Sequence, residues 1–132
     1  MSKYQVSNSS SFNFADYVEK MLMQYGVDVA DAVDTSCREV AKEAVQKLKT
    51  NSPKGKRGKY AKGWAAQFEK GRLQTSATVY GKSGTYQLAH LLEHGHARRG
   101  GGRNVDAIVH ISPVEQWAID EVQDRVVEKI GG

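Results

Sequence analysis

Cysteine is almost missing from this chain. Cys37 stands alone in 132 residues, so no internal disulfide can form, and a reducing, cytosolic setting is the expectation. Its neighbours place it on a helix, where it reads as a small buried hydrophobe rather than a reactive thiol. Long apolar runs are missing too. None approaches the roughly 18 residues that a membrane span requires. The opening "MSKYQVSNSSSFNF" lacks the apolar core of a secretory signal, so secretion is not expected. Proline occurs only as Pro53 and Pro113, and both read as helix boundaries. Familiar catalytic frames are missing as well. There is no G-x-S-x-G elbow, and "GKSGT" at 81–85 fails as a phosphate loop because position 76 is Ser rather than Gly.

What remains is an ordinary globular composition, 39% hydrophobic and 26% charged, in a length that suits one domain with one modest core. The net charge of +4 is unevenly spread. Residues 1–34 carry a net of −3, and residues 35–63, with nine basic and two acidic groups, a net of +7. Residues 64–111 carry +3, and residues 112–132 carry −3. Acidic ends and a basic middle suit either nucleic acid or a contact between the middle of one copy and the acidic helix of another.

The hydrophobic spacing predicts an α+β fold: long N-terminal helices, a small antiparallel sheet, a short helix and a C-terminal amphipathic helix. Residues 1–13 read as a flexible segment and 14–132 as a single domain. Asn13 is placed to cap a helix over "FADYVEKMLMQY", with Phe14, Val18, Met21, Leu22 and Tyr25 on one face. A second helix follows from Val27 to Leu48, on a stripe of Val29, Val33, Cys37, Val40, Ala41, Ala44, Val45 and Leu48, and Pro53 stops it. "YAKGWAAQFEKG" and "RLQTSATVYGK" read as two strands joined near Gly71, with Leu73, Thr75, Ala77 and Val79 on one face. "TYQLAHLLEHG" reads as a short helix with Leu88, Leu91 and Leu92 inward, and "AIVHI" as a short strand. Ser112 then caps a last helix that begins at Pro113.

Two stretches invite a functional reading. In "LAHLLEHGHARRGGGR", residues 88–103, the pattern His90-x-x-Glu93-His94 matches an H-x-x-E-H zinc motif. Helical spacing could bring the three side chains together. A third protein ligand at a diagnostic spacing is lacking, however, and the following "RRGGGR" disfavours a dication. The expectation is therefore no metal and no cofactor. Glu93 is instead a hydrogen-bond or ion-pair hub beside His94, His96, Arg98 and Arg99, with Gly95 supplying a left-handed turn. His110, just before the last helix, reads as a packed, hydrogen-bonded side chain. The second stretch is the cationic glycine loop with Lys54, Lys56, Arg57, Lys59 and Lys62, interleaved with Tyr60 and Trp64. It suits phosphate backbone contact, which keeps open a small nucleic-acid-binding module using the basic 47–62 region.

"SPKGKRGKYAKGW" at 52–64, "YQLAHLLEHGHARRGGGR" at 86–103 and "HISPVEQWAIDEV" at 110–122 together resemble a known family. It is that of the small neck, or head–tail joining, proteins of tailed bacteriophages, also called minor capsid or tail-completion proteins, particularly in phages and prophages of Gram-positive bacteria. The resemblance runs in order over about residues 14–127. It implies a non-enzymatic α+β subunit of the virion neck, assembled in the host cytoplasm, which forms a ring of its own copies. It also implies portal-side and tail-side protein partners, with contact to packaged DNA. Carried over, Pro53, Gly58 and Trp64 belong to the entry into the sheet. Leu92, Glu93, Gly95 and His96 form the turn after the short helix, and His110 and Pro113 the start of the last one. The basic residues Lys54, Lys56, Arg57, Lys59, Lys62, Arg98, Arg99 and Arg103 are the candidates for facing DNA or a partner.

Overall fold

The helix Ala30–Asn51 is the centre of the molecule, because its apolar residues recur at helical spacing on a band wide enough to meet two neighbours. The computed structural model describes residues 11–53, 58–70, 75–95 and 106–131. In chain order these form β1 (Ser11–Asn13), α1 (Ala15–Tyr25), a 3-10 turn (Val27–Val29), α2 (Ala30–Asn51), α3 (Lys59–Lys62), β2 (Trp64–Lys70), β3 (Thr75–Gly81), α4 (Tyr86–His94) and α5 (Ile111–Gly131). The fold is α+β, mostly helical, with a three-stranded antiparallel sheet in the order β1-β3-β2.

One side of α2 packs on α5 and another on β2 and β3. The anticipated stripe is buried: Val33, Cys37, Val40, Ala41, Ala44, Val45 and Leu48 all face the core, with Val29 packed at its margin. Each fully buried Val or Leu contributes about 1.5–3 kcal/mol relative to exposure, so this one helix carries much of the core's stabilisation. Facing it from α5 are Val114, Ala118, Val122 and Val126, at successive turns. Ion pairs stitch the rim of this helix pair. Arg125 reaches Glu43 with two bonds of 2.7 and 2.8 Å, and Lys129 reaches Glu39 at 3.2 Å. Both basic residues of the acidic C-terminal segment are therefore used within the chain.

Several local expectations give way. Ser11–Asn13 is a strand rather than the end of a loose tail, with Phe12 opposite Val79. One buried aromatic decides it: Phe12 is fully enclosed and meets the Phe14 ring edge-on at 6.0 Å. Asn13 does accept the Ala15 N–H, at 2.9 Å. Tyr60–Lys62 is helical, not extended. Gly58 adopts a left-handed φ of 64°, and the Lys62 N–H closes one turn onto its carbonyl, so Tyr60 and Trp64 sit one turn apart. "AIVHI" is no strand: residues 106–110 have no regular structure, and the Ile108 N–H is spent on the Leu92 carbonyl. The third strand of the sheet is β1 instead, paired with β3. Leu88 points outward, and the buried face of α4 is Ala89 and Glu93. The expected hairpin joint at Gly71, and Leu73 on the strand face shared with Thr75, Ala77 and Val79, lie outside the described residues.

Candidate functional site

The C-terminal turn of α4 and the start of α5 meet at one carboxylate. Glu93 is buried, with its side chain only 4% exposed. Its Oε1 accepts the backbone N–H groups of His110 and Ile111, both at 2.8 Å, and its Oε2 accepts that of Ser112 at 2.9 Å. These donors at the N-terminus of α5 have no intrahelical partner, so a residue 18 positions upstream of the helix's first residue caps it from across the fold. Ser112 was expected to supply this cap. It lies inside α5 instead, and Pro113 is the third helical residue, where its missing N–H is still harmless. Burial pushes the Glu93 carboxyl up, but the three backbone N–H bonds outweigh it and hold the group below the usual carboxylate range, helped by His110.

His110 extends the network. Its Nδ1 faces both the Ile108 carbonyl and Glu93 Oε1, the latter at 3.1 Å. Two acceptors at Nδ1 assign the ring proton to that nitrogen in the neutral form. Nε2 is then an acceptor, and the Tyr60 hydroxyl donates to it over 2.7 Å. Burial raises the Tyr60 pKa, and the Glu93 charge raises it further, which keeps the hydroxyl a donor. Tyr60 packs edge-on against Trp64 at 5.9 Å and against His110 at 5.6 Å. The Trp64 indole N–H donates to Ser52 Oγ at 3.0 Å, and the Thr85 hydroxyl donates to the Tyr60 carbonyl at 2.9 Å. The ends of α2, α3 and α4 and the beginnings of β2 and α5 thus converge on one buried polar chain.

A Tyr–His–Glu series has the ingredients of proton transfer, but this one is enclosed. The His110 side chain is 1% exposed, and each polar atom is spent on a structural partner. No substrate can reach it, and what it does is hold positions. The described residues on either side of 54–57 and 96–105 lead into this corner. Pro53 and Gly58 flank the first stretch; Gly95, at φ 77°, and Asp106 flank the second.

Of the residues singled out in the sequence, Glu93 and His110 are brought together, with Gly95 and Pro113 beside them. Lys59 and Lys62 are exposed on α3. Lys54, Lys56, Arg57, His96, Arg98, Arg99 and Arg103 lie outside the described residues. Among the described residues Glu93 is partnered by His110 and by the backbone N–H groups at the start of α5. His90 and His94 are exposed on α4, their rings tilted at 55° with centroids 5.3 Å apart, whereas Glu93 is buried. Among the described residues no cluster of three His, Cys, Asp or Glu has metal-holding geometry. Sequence reasoning missed Ser52, Tyr60 and Thr85 as members of the network. The i, i+4 spacing of Tyr60 and Trp64 is the available signal, but the strand-like composition of "YAKGWAAQFEKG" masks it.

Among the described residues no helix is long and apolar enough to cross a membrane. No curated protein and no solved structure shows significant similarity to the chain. A family model does match, over residues 13–95, from the end of β1 to the glycine that closes α4. Its description reads "Bacteriophage HK97-gp10, putative tail-component", a structural part of the phage virion in the tail and neck region and not an enzyme family. Since the match spans more than half of the chain, this protein belongs to the HK97-gp10-like family of phage tail components.

Proposed function

We propose that this chain is a structural subunit of the virion neck that joins the DNA-filled head to the tail during assembly. Its family supports the reading, and one observation carries it. The single acid–base constellation at the corner is sealed, and it clamps the stems of two cationic glycine stretches. Such a device suits a part whose loops order against neighbours better than one that turns over a substrate. The partners are further copies of the chain in a ring, portal-side connector proteins and tail-side proteins, met in the neck after assembly in the host cytoplasm. Electron microscopy of particles made without this protein should show full heads and separate tails. Joined, infectious particles from such a deletion would overturn the reading.

Contact with packaged DNA is part of the same proposal, favoured by Lys59 and Lys62 standing exposed on α3 beside the first cationic stretch. Binding to duplex DNA should fall with salt at a log–log slope of about −0.9 per phosphate contacted. Replacing Lys54, Lys56, Arg57 and Lys59 with Gln should flatten that slope. Unchanged DNA retention would remove DNA from the list of partners.

A further inference from the structure

We propose that a second copy of this chain docks the Met23 end of its α1 into the groove between α2 and β2, a contact that rests on the neck-subunit reading above. The groove has a volume of about 560 Å³. Val45, Ala66 and Phe68 supply its apolar surface, and Lys42, Gln46 and Lys47 its rim. The Phe68 ring draws cations to the same place, with Arg38 at 5.0 Å and Lys42 at 5.9 Å from its centroid. Glu43 also lines the groove, but its carboxylate is held by Arg125. The hollow is therefore apolar within and positive at its edge.

The matching feature is on α1. Met23 is 81% exposed, more than any other large hydrophobic residue described. Asp16, Glu19 and Lys20 share its helix face, at seven, four and three residues before it, and all three are exposed. Asp28 and Asp31 follow just beyond Gly26, also exposed. The last turn of α1 holds no basic residue, so the carbonyl end of the helix dipole adds negative potential beside Met23. A flexible, polarizable thioether with an acidic collar complements an apolar hollow with a cationic rim.

Placement makes the contact heterologous. The sheet runs β1-β3-β2. α1 leads directly out of β1 and packs on β3, whereas the groove borders β2. Knob and hollow thus belong to different elements and different surfaces of the subunit. Each copy presents both, so the contact repeats in one direction and closes into a ring where its rotation permits.

The test uses the full chain. Met23→Glu and Phe68→Ala should each weaken self-association about tenfold or more, as the loss of one buried apolar side chain implies, read by sedimentation velocity. Circular dichroism verifies that both variants remain folded. Gln24→Cys and Gln46→Cys place thiols beside the knob and on the rim. Cys37, fully buried, does not compete. Under oxidation, a mixture of the two variants should give a disulfide-linked dimer that neither gives alone, and a chain carrying both should give a ladder. Oligomers that survive both apolar substitutions without the mixed crosslink would overturn this surface while leaving the neck reading intact. A chain that stays monomeric and uncrosslinked at every concentration would also overturn it. The neck reading itself stands or falls separately, on the joining of heads to tails in particles without the protein.

Discussion

The Tyr60 hydroxyl lies 2.7 Å from His110 Nε2, a buried bond between residues 50 positions apart. It fastens the exit of one cationic stretch to the exit of the other, since Tyr60 follows residues 54–57 and His110 follows residues 96–105.

Tyr60→Phe keeps the ring and its edge-on contacts but removes the donor, leaving His110 Nε2 buried without a partner. The expected loss is about 1–3 kcal/mol, read as a lower urea midpoint with an unchanged slope. A midpoint equal to that of the parent chain would show that the bond contributes nothing net.

Glu93 should give the protein a specific acid sensitivity. Its folded pKa is depressed, while the unfolded chain titrates at about 4.3. Between the two values the unfolded state binds more protons, so stability rises with pH. The contribution is complete above the unfolded value and is lost as pH falls through the folded one. Urea midpoints measured from about pH 3 to 7 should therefore drop toward acid in the parent chain and drop less steeply in Glu93→Gln. Glu93→Ala, which orphans three backbone donors at once, should cost about 3 kcal/mol or more at neutral pH.

Gly63 is required by closeness rather than by its dihedral angles. A Cβ there would stand 1.8 Å from Thr85 Oγ1 and 2.8 Å from Thr85 Cβ. Gly63→Ala should destabilise by about 1–3 kcal/mol, as overpacking does. Adding Thr85→Ala should recover part of that loss, because it removes the nearer atom and leaves the farther one. Additive costs in the double variant, measured by thermal melting, would contradict the clash.

Cys37 should be inert. It is completely enclosed, and burial pushes its thiol up to about 12, with the Asp34 charge adding to the effect. A thiol-specific chromogenic reagent should leave the native chain unlabelled for hours and titrate one thiol per chain in denaturant. Rapid labelling of the native chain would show that α2 opens readily.

The helices were legible in the sequence because their signal is local. The stripe from Val33 to Leu48 recurs at the helical period, and every backbone bond that it needs lies four residues away. The same logic located α1 and most of α5. It failed at Ser11–Asn13, where the surrounding run of serines outweighed the single Phe12, and at "AIVHI", where strand-like residues are consumed by other bonds. Glu93 was legible as a hub, but its partners were not. Those partners are backbone N–H groups at the start of α5, and no side-chain pattern marks a backbone group as needing a distant carboxylate.

By itself the sequence determined the helical framework, the lone inert thiol and the split between acidic ends and a basic middle. All three depend on residue type and on spacings of a few positions. Only the tertiary structure decided which strand completes the sheet, that Glu93 caps a helix far along the chain, and that an apolar hollow forms between α2 and β2 while Met23 stands exposed on α1. Strand pairing and the satisfaction of buried polar groups are settled by partners brought together in space, and local spacing carries no record of them.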